Sequence, residues 1–424
     1  MASPSCPVRR RIEAKESPLP LLALSDDLLE EIFIRVGSPA DLARASTACV
    51  AFRRLIADPT FLRRYRSLRS PIFLGVIYQP YRCYQYPRYD FRAVETPHPN
   101  ADVAQAFGRA AYFSFRYIPP LQRHQWDVCD VRDGRVLLSY CDFGDAGFGN
   151  LAVCDPLSRE YVLLPAIADG LLASVLLEEI YELEEFEASF IPSRDTEETP
   201  LKVMYRARSA TKSVVLVFSP DSGHWSIGTC TTWDSLSLNV TPDDKDTFVV
   251  RSPPSWAYHC CYWRVYRKNK LLKLDTRRME FSTIDLPPKN HEDVQRVIVE
   301  AEEGKIAMFS YDFGGKSLDY YTFLQNDGEK AYAWHLKNTI PLPTGYKKWE
   351  IEDAAAEGYI FLVGTRGHYS PVFSLEIKTF TMEEFDLSIK NPYRSIYPYF
   401  GFPPSMSPRR LQGYEAVSFF FSLS

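Results

Sequence analysis

Residues 153–165, VCDPLSREYVLLP, and residues 272–287, LKLDTRRMEFSTIDLP, are two copies of one pattern. An alternating apolar run enters a turn of Asp, Pro, Ser, Thr or Gly, alternation resumes, and the unit ends on a leucine–proline step. Alternation with a period of two puts successive side chains on opposite faces of a strand, so each unit reads as a β-hairpin. Residues 217–228 (VFSPDSGHWSIG) and 374–387 (SLEIKTFTMEEFDL) are weaker copies. A further strand-like run precedes each hairpin, at 134–140, 201–206, 256–265, 305–311 and 358–365. Turns at Asp155, Ser219, Asp275 and Lys378 are separated by 64, 56 and 103 residues, and the last gap holds a degenerate unit at 294–343. Several strands recurring every ~40–60 residues predict a β-propeller. Counting 71–118 as an irregular first unit gives about six blades, and a last strand at 414–423 is expected to pair back and close the ring. Two stacked sandwiches are the competing architecture.

Ahead of this body, residues 20–69 read PLLALSDDLLEEIFIRVGSPADLARASTACVAFRRLIADPTFLRRYRSLR and have a helical period. Ser25 is a good N-cap, with Asp26 and Asp27 in the first turn where they favour the helix dipole. Leu28, Leu29, Ile32, Phe33 and Val36 form one apolar stripe. Gly37 stops that helix, and Ser38 and Pro39 serve as N-cap and first residue of the next. Leu42, Ala45, Ala48, Phe52, Leu55 and Ile56 continue the apolar face, and Pro59 breaks it. Three or four short helices are expected.

The run LSDDLLEEIF, then SPADLARAS, then ACVAFRRLIAD closely resembles the F-box, the adaptor-binding motif of cullin–RING ubiquitin ligase receptors. Ser25 stands where that family usually has proline, and Phe52 where it usually has tryptophan. The body resembles the F-box-associated propeller-like region of a large plant family, that of grasses above all, through FRRLIADPTFLRRYRSL (52–68), PIFLG (71–75) and the DPLSREYVLLP unit. The resemblance implies a small all-α F-box domain (20–69) behind an N-terminal tail (1–19), followed by a large all-β, propeller-like domain (70–424). It also implies a substrate-recognition subunit of a cullin–RING ligase that catalyses nothing itself. Leu24, Leu28, Leu29, Ile32, Leu42 and Phe52 match the motif's apolar positions, as the interface to a Skp-type adaptor or its direct support. The β-domain would hold a target protein. A non-degradative scaffold and a propeller enzyme with a helical appendage are the alternatives.

Composition narrows the rest. Net charge of −5 argues against general nucleic-acid binding. The charge is uneven: residues 1–70 carry +4 and the body −9. Nine cysteines, none in a C-x-x-C pair, fit reduced thiols in the cytoplasm or nucleus rather than a secreted disulfide framework. No run is apolar enough to cross a membrane, and 19–24 is too short for a secretory signal. Arg9, Arg10 and Arg11 make at most a weak nuclear-import signal.

No cofactor or metal is expected. His259–Cys260–Cys261 is the densest potential ligand cluster, but it lacks a second ligand pair and reads as an interior strand of the fourth blade. The glycines of 142–150 suit a hairpin loop, and Glu302–Glu303 a turn. The acidic stretch 178–187 reads as a charged insertion between the second and third blades. Two aromatic–proline clusters, 78–91 and 391–404, flank the body and should meet on closure. Their Tyr81, Tyr84, Tyr86, Tyr393, Tyr397 and Tyr399 are candidates for target binding, because tyrosine buries area while offering a hydrogen bond.

Overall fold

A computed structural model describes residues 24–69, 71–80, 89–119, 126–140, 149–176, 185–192, 201–209, 211–238, 254–265, 268–287, 294–325, 332–368, 370–385 and 393–402. The chain divides into two compact units, Met1–Arg69 and Ser70–Ser424.

Four short helices build the first unit: α1 (Asp26–Phe33), α2 (Pro39–Ser46), α3 (Val50–Ile56) and α4 (Pro59–Leu68). Each has a side-chain N-cap. Ser25 accepts from the Leu28 amide, Ser38 from Asp41, Cys49 from Phe52, and Asp58 from Thr60 and Phe61. Such caps satisfy amides that a helix start leaves without partners. Pro39 and Pro59 sit in the first turn, where proline loses no helical bond. Pro59 therefore opens a fourth helix rather than ending the helical region. Leu29, Phe33, Leu42, Ile56, Phe61 and Tyr65 form the buried centre. Tyr65 is fully buried and donates to the Val36 carbonyl at 2.8 Å.

The second unit is six sheets in a ring. Its chain begins with β1 (Ile72–Pro80), β2 (Asp90–Ala93) and α5 (Ala101–Ala110). Blade 2 is β3 (Asp127–Arg132), β4 (Arg135–Tyr140), β5 (Asn150–Asp155) and β6 (Glu160–Leu163), followed by α6 (Asp169–Leu176). Blade 3 is β7 (Glu185–Ile191), β8 (Lys202–Arg208), β9 (Lys212–Ser219) and β10 (His224–Thr232). Blade 4 is β11 (Ser255–Ala257), β12 (Cys260–Val265), β13 (Lys270–Asp275) and β14 (Glu280–Asp285). Blade 5 is β15 (Val294–Glu300), β16 (Ile306–Asp312), β17 (Ser317–Gln325) and β18 (Tyr332–Pro341). Blade 6 is β19 (Lys348–Ala356), β20 (Tyr359–Thr365), β21 (Val372–Glu376) and β22 (Met382–Phe385), and β23 (Tyr393–Gly401) follows. Every sheet is antiparallel, and blades 2 to 6 are meanders in chain order.

Closure departs from expectation. The strand that completes blade 1 is β23, antiparallel to β1 with Tyr78 opposite Ile396, so the blade runs β2-β1-β23. Residues 414–423, expected to close the ring, lie outside the described residues. The two aromatic–proline clusters do meet in this pairing. Gly75 is required in β1: a Cβ there would fall 2.0 Å from the Arg92 carbonyl oxygen.

Turn chemistry repeats with the blades. The first hairpins of blades 2, 4, 5 and 6 turn on Asp133–Gly134, Tyr258–His259, Glu303–Gly304 and Glu357–Gly358, all with positive φ. Paired positive φ matches the strand twist. The outer hairpins end on Arg159, Gly223, Met279 and Phe380, again with positive φ. In two of them an aspartate organises the turn. Asp155 accepts from the Leu157 and Ser158 amides, and Asp275 from those of Arg277 and Arg278. His259 is thus a turn residue, while Cys260 and Cys261 begin β12 in the fourth blade.

Candidate partner-binding surfaces

On the helical unit, α1 separates the motif residues by face. Leu29 (3% exposed) and Leu42 (0%) are core, whereas Leu28 (54%) and Ile32 (40%) stand in solvent. Leu28 and Ile32 are four apart and therefore neighbours on one helix face. Phe52 is half-buried, its ring edge-on to Phe33 at 5.0 Å, and Leu24 is half-buried just before the N-cap. Val50 (82%) adds a third exposed apolar side chain, at the start of α3. Ion pairs hold α1 in place at its rim: Arg54 to Asp26 at 3.0 Å, and Arg64 to Glu30 and Glu31 at 3.2 and 2.6 Å. Leu29 and Leu42 thus support a surface to which Leu28 and Ile32 belong.

In the propeller a cavity of about 1770 Å³ is lined by all six inner strands, through Asp130, Glu187, Trp256, Glu300, Glu352 and Tyr397 among others. Its wall carries nine Asp and Glu against four Lys and Arg. Asp133, Glu302, Glu303 and Glu357 occupy first-hairpin turns at one end and are exposed. The expectation that Glu302–Glu303 sit at a turn holds; that this turn joins three others around a common cavity was not legible in the sequence. Tyr258, Tyr359 and Phe380 line the same cavity and are half-buried.

The deeper carboxylates of this wall are structural. Asp130 accepts from the Val131 amide at 2.7 Å and, across the seam to blade 3, from Phe190 at 2.8 Å. Burial raises its pKa, with Arg132 opposing. Glu187 holds Arg206 through Nε and Nη2 at 3.1 and 2.9 Å and takes the Trp263 indole N–H at 2.9 Å across the seam to blade 4. The acidic stretch expected as an insertion therefore ends inside the fold: β7 starts at Glu185, Glu187 is locked in a seam, and 177–184 lie outside the described residues.

Polar ties cross other seams as well. Glu300 accepts from the Tyr258 amide at 2.9 Å between blades 5 and 4, and Gln295 from that of Ile351 at 2.8 Å between blades 5 and 6. Between blades 6 and 1 the contact is aromatic, Phe73 meeting Phe361 and Phe385 at 5.1 Å each, and its blade 1 partner Phe400 meeting Phe361 at 6.0 Å.

Of the six tyrosines proposed for target binding, Tyr81, Tyr84 and Tyr86 lie outside the described residues, as does the side chain of Tyr393. Tyr397 lines the cavity, half-buried, and donates to the Val128 carbonyl at 2.7 Å. Tyr399 is a correction: it is 1% exposed, packs on Phe107 and Phe113 at 5.2 and 5.4 Å, and donates to the Gly134 carbonyl. It fastens the closing strand to blade 2 and presents nothing outward.

Cys260 and Cys261 point to opposite faces of β12, into the seams with blades 5 and 3 respectively, so they do not converge on one ion. Burial pushes the Cys261 thiol well up, with Glu187 adding to it. Among the described residues no three His, Cys, Asp or Glu side chains are placed to hold a metal, and no helix is long and apolar enough to cross a membrane.

Ring closure, four-stranded meanders and the axial cavity define a six-bladed β-propeller protein with a small helical unit ahead of it. No protein-family model matches the chain, and no curated protein matches it. Among solved structures it is similar to the periplasmic gluconolactonase of Pseudomonas aeruginosa, at 10% identity and TM-score 0.39 over 76% of this chain and 83% of that one. It is also similar to a protein from Lactobacillus plantarum (9%, 0.37, 77% and 99%) and to a chain of a nidogen–laminin complex (8%, 0.35, 77% and 98%). Likenesses this distant carry no argument about activity or partners.

Proposed function

We propose that this chain is an F-box protein of the plant type, the substrate-recognition subunit of a cullin–RING ubiquitin ligase. In this reading the helical unit docks on a Skp-type adaptor and the propeller holds a target protein, in the cytoplasm or nucleus. The chain catalyses nothing. It acts by proximity, raising the effective concentration of target lysines near the ubiquitin-charged enzyme. The observation that carries the reading is the Leu28–Ile32 pair: two large apolar side chains in solvent on a helix whose other face is fully packed. Exposed apolar neighbours of this kind mark protein interfaces. The acidic, aromatic-edged end of the propeller cavity is the surface assigned to the target, and its charge favours a basic segment.

The test is a pull-down of the full chain with purified Skp-type adaptor, before and after the double change Leu28→Ala, Ile32→Ala. Adaptor capture should be lost while the fold is unaffected, since exposed positions cost within about 0.5 kcal/mol when replaced. All seven tryptophans lie in the propeller, so unchanged intrinsic fluorescence reports that its packing is intact. Capture that survives the double change sinks the assignment. A receptor and a scaffold then separate by turnover, because only a receptor's target accumulates when residues 1–69 are removed.

A further inference from the structure

Blade 4 stands between two arginines of its neighbours. Arg206 of blade 3 is 2% exposed, and its Nε and Nη2 converge on Glu187 Oε2. Arg296 of blade 5 reaches into the other seam, and there its Nε and Nη2 are shielded from solvent with no hydrogen-bond partner. Those two nitrogens form the flat edge of the guanidinium that grips a pair of oxygens side by side. Directly across the sheet from Arg296 is Ser310, 2% exposed, whose hydroxyl also lacks a partner. Opposed residues on adjacent strands share a face with Cβ atoms about 5 Å apart. Three donors here have no hydrogen-bond partner, although the Asp312 carboxylate is near enough to act on Arg296, and buried donors are otherwise nearly always satisfied.

The surroundings set the sign of what fits. Arg264 lies close, donating to the Val294 carbonyl at the start of the same strand, and adds a second positive charge. Burial first, and the charge of Arg264 next, push the Arg296 guanidinium down to about 10, with Asp312 and Tyr321 opposing. Asp319 accepts from the hydroxyls of Thr339 at 3.0 Å and Tyr321 at 3.4 Å. Arg296 as a whole keeps partial access to solvent, so a rotation of its side chain brings the gripping edge within reach.

We infer that the seam between blades 4 and 5 is an oxyanion site for a phosphoryl group, held by the Arg296 edge and the Ser310 hydroxyl with Arg264 behind them. Two arginines and a hydroxyl suit a dianionic, three-oxygen phosphate better than a carboxylate with two oxygens and one charge. Free phosphate and a phosphorylated side chain share this chemistry. The inference does not depend on the adaptor reading and fails or stands separately from it.

The experiment is thermal unfolding of the full chain, followed by tryptophan fluorescence, in inorganic phosphate or in acetate at equal ionic strength. A phosphoserine peptide and its unphosphorylated twin are then titrated. Specific binding raises the melting temperature with ligand concentration. Phosphate should raise it more than acetate, and the difference should vanish in Arg296→Met and shrink in Ser310→Ala. Arg296→Lys, which keeps the charge but loses the flat edge, should retain only part of it. Equal shifts in wild type and Arg296→Met would mark a general salt effect and overturn the site, as would acetate matching phosphate. If the phosphopeptide binds and its twin does not, the group belongs to a protein partner; if inorganic phosphate alone acts, the ligand is a free anion.

Discussion

The seams on either side of blade 4 face the same physical problem and answer it differently. On the blade 3 side, an arginine at 2% exposure is matched by Glu187 and stacked on Trp263, its Cζ 4.7 Å from the ring centroid. On the blade 5 side, Arg296 has a serine hydroxyl opposite, a second arginine nearby and no acceptor on its gripping edge. A buried charge with its partner in place is a structural fastener. One whose gripping edge makes no hydrogen bond recovers less of the desolvation it costs. The contrast teaches that inter-blade packing here does not itself require an arginine, so the second arginine calls for an explanation outside packing.

Breaking the satisfied seam should have the largest effect. Glu187→Ala removes the carboxylate that holds Arg206 Nε and Nη2 inside the seam and the acceptor of the Trp263 indole. Loss of one partner from a buried pair costs about 3–5 kcal/mol. Denaturant unfolding read by tryptophan fluorescence checks it directly, since Trp263 is itself in the seam. A loss under about 1 kcal/mol, the range of a solvated surface pair, would mean that Arg206 finds water or another acceptor.

The unsatisfied seam should respond in the opposite sense. Arg296→Met keeps an unbranched side chain of similar reach and removes the unpaired charge. Replacing buried ionic groups by apolar ones is often neutral or stabilising by about 1–4 kcal/mol. Without phosphate the variant should therefore be at least as stable as wild type in the same unfolding assay. A clear loss of stability would show that Arg296 is a structural member of the seam after all, and the two seams would be equivalent.

How much of this was legible beforehand follows from the range of each signal. The caps Ser25 and Ser38, and the turns at Asp155 and Asp275, act within three residues, so their effect is written next to them in the chain. The blade count followed from the spacing of such turns. Closure did not, because β23 pairs with a strand more than 300 residues away and carries Pro398, a residue rare inside strands. The ring of turn carboxylates is likewise non-local, as Asp133, Glu302 and Glu357 come from three blades. Tyr399 looked like a surface residue because its cluster is rich in proline and tyrosine. Only the pairing with β1 places it against Phe107 and Phe113. Glu187 was hidden among acidic neighbours, since nothing local distinguishes the one carboxylate that meets an arginine 19 residues on.

The smallest expected effect tests whether the aromatic seam, which closes the ring between blades 6 and 1, responds to mild acid. His98 stands at its edge, edge-on to Phe385 at 5.5 Å and Phe73 at 6.3 Å, and its Nδ1 accepts from the Asn100 amide at 3.1 Å. That bond requires Nδ1 unprotonated. Burial lowers the histidine's pKa below 6.5, with Glu383 opposing. In the window between the lowered value and 6.5 the unfolded chain binds more protons, so stability rises with pH there. The contribution of His98 is fully present above about 6.5 and is lost as pH falls through the folded-state value. Melting temperature measured from about pH 7 down to pH 5 should fall more steeply for wild type than for His98→Asn, whose side-chain oxygen still accepts but does not titrate. Parallel curves would mean that the ring closes through its phenylalanines alone.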